Sequence, residues 1–220
     1  MATAPVRIVA VALNGAFAPR PRLLALLARA DRIIAADGGA NWLAAQGHTP
    51  HLLVGDMDSV EPGVLARAQA KGCQIQRHPA HKDETDAELA LAAAAALRPQ
   101  EIAILGALGG RMDHALGNLA LLGMPALRGI LVRIWDATSV IWLAEGETEI
   151  QGAPGDTVSL IPWGGDAEGI ATEGLAYPLR GEALRVGPSR GISNVLVGER
   201  ARVTLQAGRL LVVHTPAVDG

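Results

Sequence analysis

The chain has 220 residues, 50% hydrophobic and 19% charged, with a formal net charge of −3 and a pI near 6.1. That length allows a substantial core, in one large domain or two small ones, and the mildly acidic balance gives no basic footprint for nucleic acid. A single cysteine, Cys73, excludes an intramolecular disulfide and a thiolate-held metal centre; with no charged leader and no apolar run of bilayer length, the expectation is a soluble, unexported, cytoplasmic protein.

The predicted elements begin with the strand-like "RIVAVAL" and the helix-length "PRLLALLARA". "RIIAA" predicts a second strand and "LLVG" a third, followed by the helical "VLARAQAKG". "CQIQRH" predicts a fourth strand, ahead of "ELALAAAAAL", whose Ala/Leu content favours helix, and "EIAILGAL" a fifth. Strands that alternate with helix-length segments predict a mostly parallel sheet with helices on its faces. From about Ser139 onward Gly and Pro cut the sequence into short pieces, "SVIWLAEGETEIQG", "GDTVSLIPWGG" and "ARVTLQAGRLLVVHT", which read as antiparallel strands and turns. The expected organisation is therefore a three-layer α/β domain over residues 1–136 and an all-β domain over 139–220.

Acidic residues gather where these strands end. Asp56 and Asp58 follow the third, and in an extended chain residues two apart face the same way at roughly 6.5–7 Å, so both carboxylates can aim at one point. Anions so close repel unless a proton or cation lies between them, and a hard divalent ion such as Mg²⁺ meets that need. The plainer reading is capping, since Glu61 stands three beyond Asp58 and "EPGVLARAQ" reads as a helix start. After the second strand, in "DGGANWL", Asp37 precedes Gly38 and Gly39, which let backbone N–H groups approach a ligand. After the fourth, "HKDETDAEL" carries Lys82, Asp83 and Asp86; Thr85 and Glu88 have capping-box spacing, which accounts for Thr85 but does not require Asp83. After the fifth, "GGRMDHALGNL" offers two glycines, Arg111 suited to bidentate phosphate contact, and Asp113 at a helix start, where capping alone also explains it.

In an open α/β sheet ligands bind outside the carboxyl ends of the strands, and all four motifs fall on that edge. Capping explains each aspartate separately but not the glycine pairs, Lys82 and Arg111 beside them, so the set points to a metal–phosphate site. Neither a GxxxxGK[ST] loop nor a GxGxxG fingerprint is present.

The ordered motifs "DGGAN", "VGDMDS", "KDETDAELAL" and "GGRMDHALGNL", with "GISN" in the β-rich part, resemble the thiamine pyrophosphokinase family from about Ile33 to His214. The resemblance implies a homodimer in which the α/β domain binds ATP and Mg²⁺ and a β-sandwich domain helps form the thiamine pocket at the subunit interface. It implies transfer of the terminal two phosphates of ATP, as a unit, to the thiamine hydroxyl with release of AMP. Carried over motif by motif, it implies Mg²⁺ ligands at Asp56 and Asp58, with Asp83, Asp86 and Asp113 joining the acidic and metal-facing set and Asp86, beside Thr85, meeting the thiamine hydroxyl. Asp37, Gly38, Gly39, Asn41, Lys82, Arg111, His114 and Asn118 fall on the nucleotide side, and Ser193 and Asn194 in the thiamine pocket. The chemistry needs no covalent nucleophile, only neutralised phosphate charge, a positioned hydroxyl and a proton acceptor, which suits direct in-line attack on the β-phosphorus.

The chain departs from the family where an aromatic is expected after the Ser-Asn pair, since Val195, Leu196 and Val197 follow Asn194. Trp163 in "LIPWGG" is the candidate to stack on the cationic ring instead, while Trp42, Trp135 and Trp142 read as core. His78, His81 and His114 lack the ligand spacing of a zinc site. Two other readings fit part of the pattern. "DMDSV" matches the DxDx[TV] motif of aspartyl-nucleophile phosphatases, although the pair follows the third strand and the remaining motifs have no role there; a nucleotide-binding regulatory dimer would keep the metal site without turnover.

Overall fold

The computed structural model describes residues 5–15 and 18–217, and the chain divides into two compact units at Ala137 and Thr138. In the first unit β1 (Ile8–Ala12), β2 (Arg32–Ala36), β3 (Leu52–Gly55), β4 (Gln74–Arg77), β5 (Glu101–Leu105) and β6 (Leu131–Trp135) form a parallel sheet in the order β6-β5-β1-β2-β3-β4. Between them run α1 (Pro21–Arg29), α2 (Gly39–Ala45), α3 (Pro62–Ala70), α4 (Asp86–Ala96) and α5 (Met112–Leu121). Pro21 and Pro62 open α1 and α3 at the one helical position where a missing N–H costs nothing. Thr85 caps α4, its Oγ1 accepting the Glu88 N–H at 3.1 Å.

Residues from both faces of the central strands are buried, as a sheet covered on two sides requires. Ala10, Ala12, Ile33, Ala35, Leu53 and Leu105 pack with Leu23, Leu43 and Val64 of α1 to α3, each fully buried Leu contributing about 1.5–3 kcal/mol. α4 covers β1 to β3 and buries Ala90, Leu91 and Ala94, whereas α5 buries no residue. The chain steps from β1 through β2 and β3 to β4, then returns to β5 on the other side of β1. Strand order therefore reverses between β1 and β5, and the crevice over their carboxyl ends is the place where such sheets bind ligands.

The second unit pairs two antiparallel sheets. One contains β7 (Val140–Ala144), β9 (Thr157–Pro162), β12 (Asn194–Val195) and β14 (Leu210–Thr215) in the order β12-β9-β14-β7. The other contains β8 (Glu147–Gln151), β10 (Ala167–Glu173), β11 (Arg180–Leu184) and β13 (Arg200–Thr204) in the order β11-β10-β13-β8. Alternation is clean on β13, where Ala201 and Val203 are buried and Arg200 and Arg202 exposed, as for a sheet with one face on a sandwich core. The α/β part followed by a β-sandwich matches the architecture expected from the sequence. Among the described residues no helix is long and apolar enough to cross a membrane.

Candidate active site

Three carboxylates converge at the carboxyl edge of the first unit's sheet. Asp37 follows β2, Asp56 and Asp58 follow β3, and one oxygen from each lies within 4.8 Å of the other two. The two later aspartates do not converge by strand alternation. β3 stops at Gly55, and Met57 between them takes a left-handed φ of 70°, so the pair sits on a turn in which Asp56 Oδ1 accepts the Asp58 N–H at 3.1 Å. Met57 is buried against the α1–α3 core, which turns one side chain inward and leaves two anions outward. Asp37 is also left-handed, φ 44°, and non-glycine residues hold such conformations at about 1–3 kcal/mol each only where the surroundings impose them. Capping does not explain Asp58, because α3 begins at Pro62 behind Glu61, whose side chain makes no cap bond.

The neighbours of this trio are spent on holding it. Ser59 Oγ donates to Asp58 Oδ1 at 2.9 Å and the Ser59 N–H to Asp37 Oδ1 at 3.4 Å. Asn41, expected on the nucleotide side, clips the loop: Nδ2 donates to the Ser59 carbonyl at 2.8 Å and Oδ1 accepts the Glu61 N–H at 3.0 Å. Gly38 and Gly39 are closely packed: a Cβ would lie 2.2 Å from Asn14 Oδ1 at Gly38 and 2.2 Å from the Ala12 carbonyl oxygen at Gly39. At Gly55, φ 143°, a Cβ would stand 3.1 Å from Asp86 Cγ and 3.2 Å from Asp37 Cβ, so Asp86 lies directly beside the trio. Burial pushes the Asp37 carboxyl above its ordinary pKa; hydrogen bonds from Ser59 and the Gly38 N–H oppose this, and the Asp58 charge adds to it.

These residues form one wall of a cavity of about 550 Å³, in the size range of small-molecule sites. Asp37, Asp56, Asp58, Thr85 and Asp86 line that wall; Asn14 after β1 and the 106–118 segment after β5, with Arg111, His114 and Asn118, line the other. Asn118 Nδ2 donates to the Ala107 carbonyl at 2.8 Å and so ties α5 to the glycine-rich turn. Arg111 is turned onto Asp113, its Nε 3.1 Å and its terminal nitrogen 2.6 Å from the two carboxylate oxygens, and that pairing lowers Asp113 to a pKa of about 2. Asp113 thus stands outside both the carboxylate trio and the cavity wall, and the structure does not support it as a metal ligand. Asp83 is exposed and Lys82 faces Asp86, and neither lines the cavity.

The trio fits a hard divalent cation. Oxygens sharing one Mg²⁺ lie at most about 4.2 Å apart, so the 4.8 Å spread needs only small side-chain adjustment, and carboxylate oxygens are the hard ligands that ion takes alongside water and phosphate.

In the second unit Ser193 has φ 60° and donates its N–H to Ser159 Oγ at 3.0 Å. Asn194 grips Tyr177 from both sides, Oδ1 accepting the Tyr177 N–H at 3.0 Å and Nδ2 donating to its carbonyl at 2.7 Å. Tyr177, the only tyrosine, is left 70% exposed. Trp163, just past the end of β9, stands five residues from Val158, the position paired with Asn194, which is about 16 Å of extended chain.

A family model described as "Thiamin pyrophosphokinase, catalytic domain" matches residues 23–132, and another, "Thiamin pyrophosphokinase, vitamin B1 binding domain", matches 147–210. Thiamine pyrophosphokinase of Bacillus subtilis (strain 168) is 31% identical over 184 residues, 83% of this chain and 86% of the relative. The chain belongs to the thiamine pyrophosphokinase family. Thiamine pyrophosphokinase 1 of Oryza sativa subsp. japonica is 30% identical over 211 residues, covering 84% of this chain and 79% of its own. The crystal structure of thiamine pyrophosphokinase from Bacillus subtilis superposes with a TM-score of 0.85 at 27% identity, over 96% of this chain and 100% of that one.

The two thiamine pyrophosphokinase matches fall one in each compact unit. Two candidate residues escaped the sequence reading. Asn14 follows the first strand in "VALNGA" and sits on the same sheet edge as the acidic motifs, a positional signal that attention to charge alone passes over. Tyr177 in "GLAYPL" lies seventeen residues before Asn194, and no local pattern connects the two.

Proposed function

We propose that this chain is an ATP:thiamine diphosphotransferase, which moves the pyrophosphoryl group of ATP to the thiamine hydroxyl and yields thiamine diphosphate and AMP. The observation that carries the reading is the meeting of Asp37, Asp56 and Asp58 on one wall of a cavity at the sheet's switch point, in a chain of this family. Asp37, Asp56 and Asp58 would hold Mg²⁺, which when bound neutralises phosphate charge. Asp86, beside them on the wall, accepts the hydrogen of the thiamine hydroxyl and aims that oxygen at phosphorus. Arg111 turns from Asp113 to the polyphosphate, with His114 and Asn118 on the same helix face toward the nucleotide. No side chain is required as covalent nucleophile.

Thiamine recognition falls to the second unit, where the Ser193–Asn194 turn presents Tyr177 as a flat surface for a cationic aromatic ring. Tyr177 is preferred to Trp163 for this role because its backbone is fixed on both sides by Asn194 and its side chain is exposed. Following the family resemblance, the chain acts as a cytoplasmic homodimer.

The test is a single assay of purified protein with ATP, Mg²⁺ and thiamine, with AMP and thiamine diphosphate measured together. Equal amounts of the two products, dependent on Mg²⁺, are expected. Nucleotide binding without AMP formation overturns the enzyme reading in favour of a regulatory dimer. Free phosphate with a phosphorylated Asp56 overturns it in favour of a phosphatase.

A further inference from the structure

Lys82 is one of the chain's two lysines, and its position beside "DETD" suits a phosphate contact. Its surroundings do not. Its side chain is only 12% exposed, Nζ donates to the Pro79 carbonyl at 3.0 Å, and the same nitrogen lies 3.0 Å from Asp86 Oδ1 in an ion pair without hydrogen-bond alignment. Asp86 Oδ1 is itself sealed from solvent, although the Asp86 side chain keeps 23% of its exposure and lines the cavity. The two oxygens are therefore unequal: Oδ1 faces inward, toward Lys82 and the bare backbone of Gly55, and the exposed part of the carboxylate belongs to the other side. A long cation locked at both its carbonyl and carboxylate partners cannot also reach a triphosphate without breaking a mostly buried pair, which is costly.

We infer that Lys82 is a positioning residue which grips Asp86 by Oδ1, so that Oδ2 alone is presented to the thiamine hydroxyl, and that it makes no contact with the polyphosphate. The inference rests on the proposed function. Three groups face the pair: the Pro79 carbonyl ahead of α4, Thr85 as the cap next to Asp86, and Gly55 at the end of β3. Since each is backbone or a helix cap, Lys82 supplies the only positive charge seen against Asp86 among the described residues.

The test compares full-length wild type with Lys82→Met, Lys82→Arg, Asp86→Asn and the Lys82→Met/Asp86→Asn double variant. It reads kcat, both KM values and, independently of turnover, the calorimetric Kd of a non-hydrolysable ATP analogue with Mg²⁺. A residue acting through Asp86 lowers kcat about 100-fold when removed, the scale of a small misplacement of a reacting group. It leaves the nucleotide Kd and the KM of ATP within about two-fold, and adds nothing in the double variant to the loss of Asp86→Asn. Lys82→Arg keeps the charge and recovers most of kcat, and it carries the same nucleotide readout should Lys82→Met fail to fold. An unchanged kcat, a nucleotide Kd weakened about ten-fold or more, or losses that multiply in the double variant each overturn the inference. A wild type that forms no AMP overturns the parent reading instead, so the two failures are distinct.

Discussion

The two walls of the cavity are built in opposite ways. On the β2–β3 side every anion is held: Asp37 is buried in a left-handed conformation, Asp58 takes the Ser59 hydroxyl, and Asn41 fastens the loop behind them. On the β5–α5 side Arg111 and Asp113 are exposed and paired with each other, on a helix that buries no residue. A wall that concentrates negative charge has to be fixed in advance, because repulsion would otherwise disperse it. The opposite wall carries a cation held only by a solvent-exposed partner, and such a pair is screened and gives the cation up easily.

Substitutions that break the held wall should do the most damage. Asp58→Asn is expected to lower kcat about 1,000-fold with an unchanged circular dichroism spectrum, since it removes a charge from the carboxylate trio without disturbing a core contact. Activity near wild type would remove Asp58 from the site. Gly55→Ala comes next, at about 100-fold in kcat, because the new methyl would press on both Asp37 and Asp86 in a backbone conformation that favours glycine. A lower melting temperature should accompany it, and full activity would show that the two carboxylates are free to move apart.

Asn41→Ala sharpens the comparison from behind the wall. Losing both bonds of the clip should cost about 1–2 kcal/mol of stability by urea denaturation and about ten-fold in kcat, while the KM of ATP stays put. A selective rise in that KM would return Asn41 to the nucleotide side. Asp113→Asn should be the mildest, changing kcat by less than about three-fold, because it only frees Arg111. Arg111 holds the Asp113 carboxyl at about 2, below its ordinary 3.8, so any stability from the pair is complete above the ordinary value and lost as pH falls toward 2. The pH–rate profiles of wild type and Asp113→Asn should therefore coincide from about pH 6 to 9, and a divergence in that window would mean that Asp113 titrates with the reaction.

Much of the site could be read ahead of the fold where position along the chain was sufficient. The acidic motifs after "RIIAA", "LLVG" and "EIAILGAL" had to share an edge, because every turn from strand to helix in a parallel sheet emerges on the same side. Glycine packing was illegible, since "DGGAN" does not say that Asn14 and the Ala12 carbonyl lie against the missing side chains. The clip made by Asn41 was hidden for a similar reason: an amide that faces a nucleotide is written the same way as one that ties a loop.

From the sequence alone came the alternation of strands and helices, the change to antiparallel pieces near Ser139, and the gathering of carboxylates on one rim, because periodicity and connectivity are properties of the chain taken in order. Only the tertiary structure decided which of those carboxylates meet. β2 lies next to β3, which brings Asp37 to Asp56 and Asp58, whereas β5 lies three strand spacings from β3, about 14 Å, which leaves Asp113 to Arg111. Strand order, and the left-handed turn at Met57, are fixed by packing among residues far apart in the chain, and no local spacing encodes them.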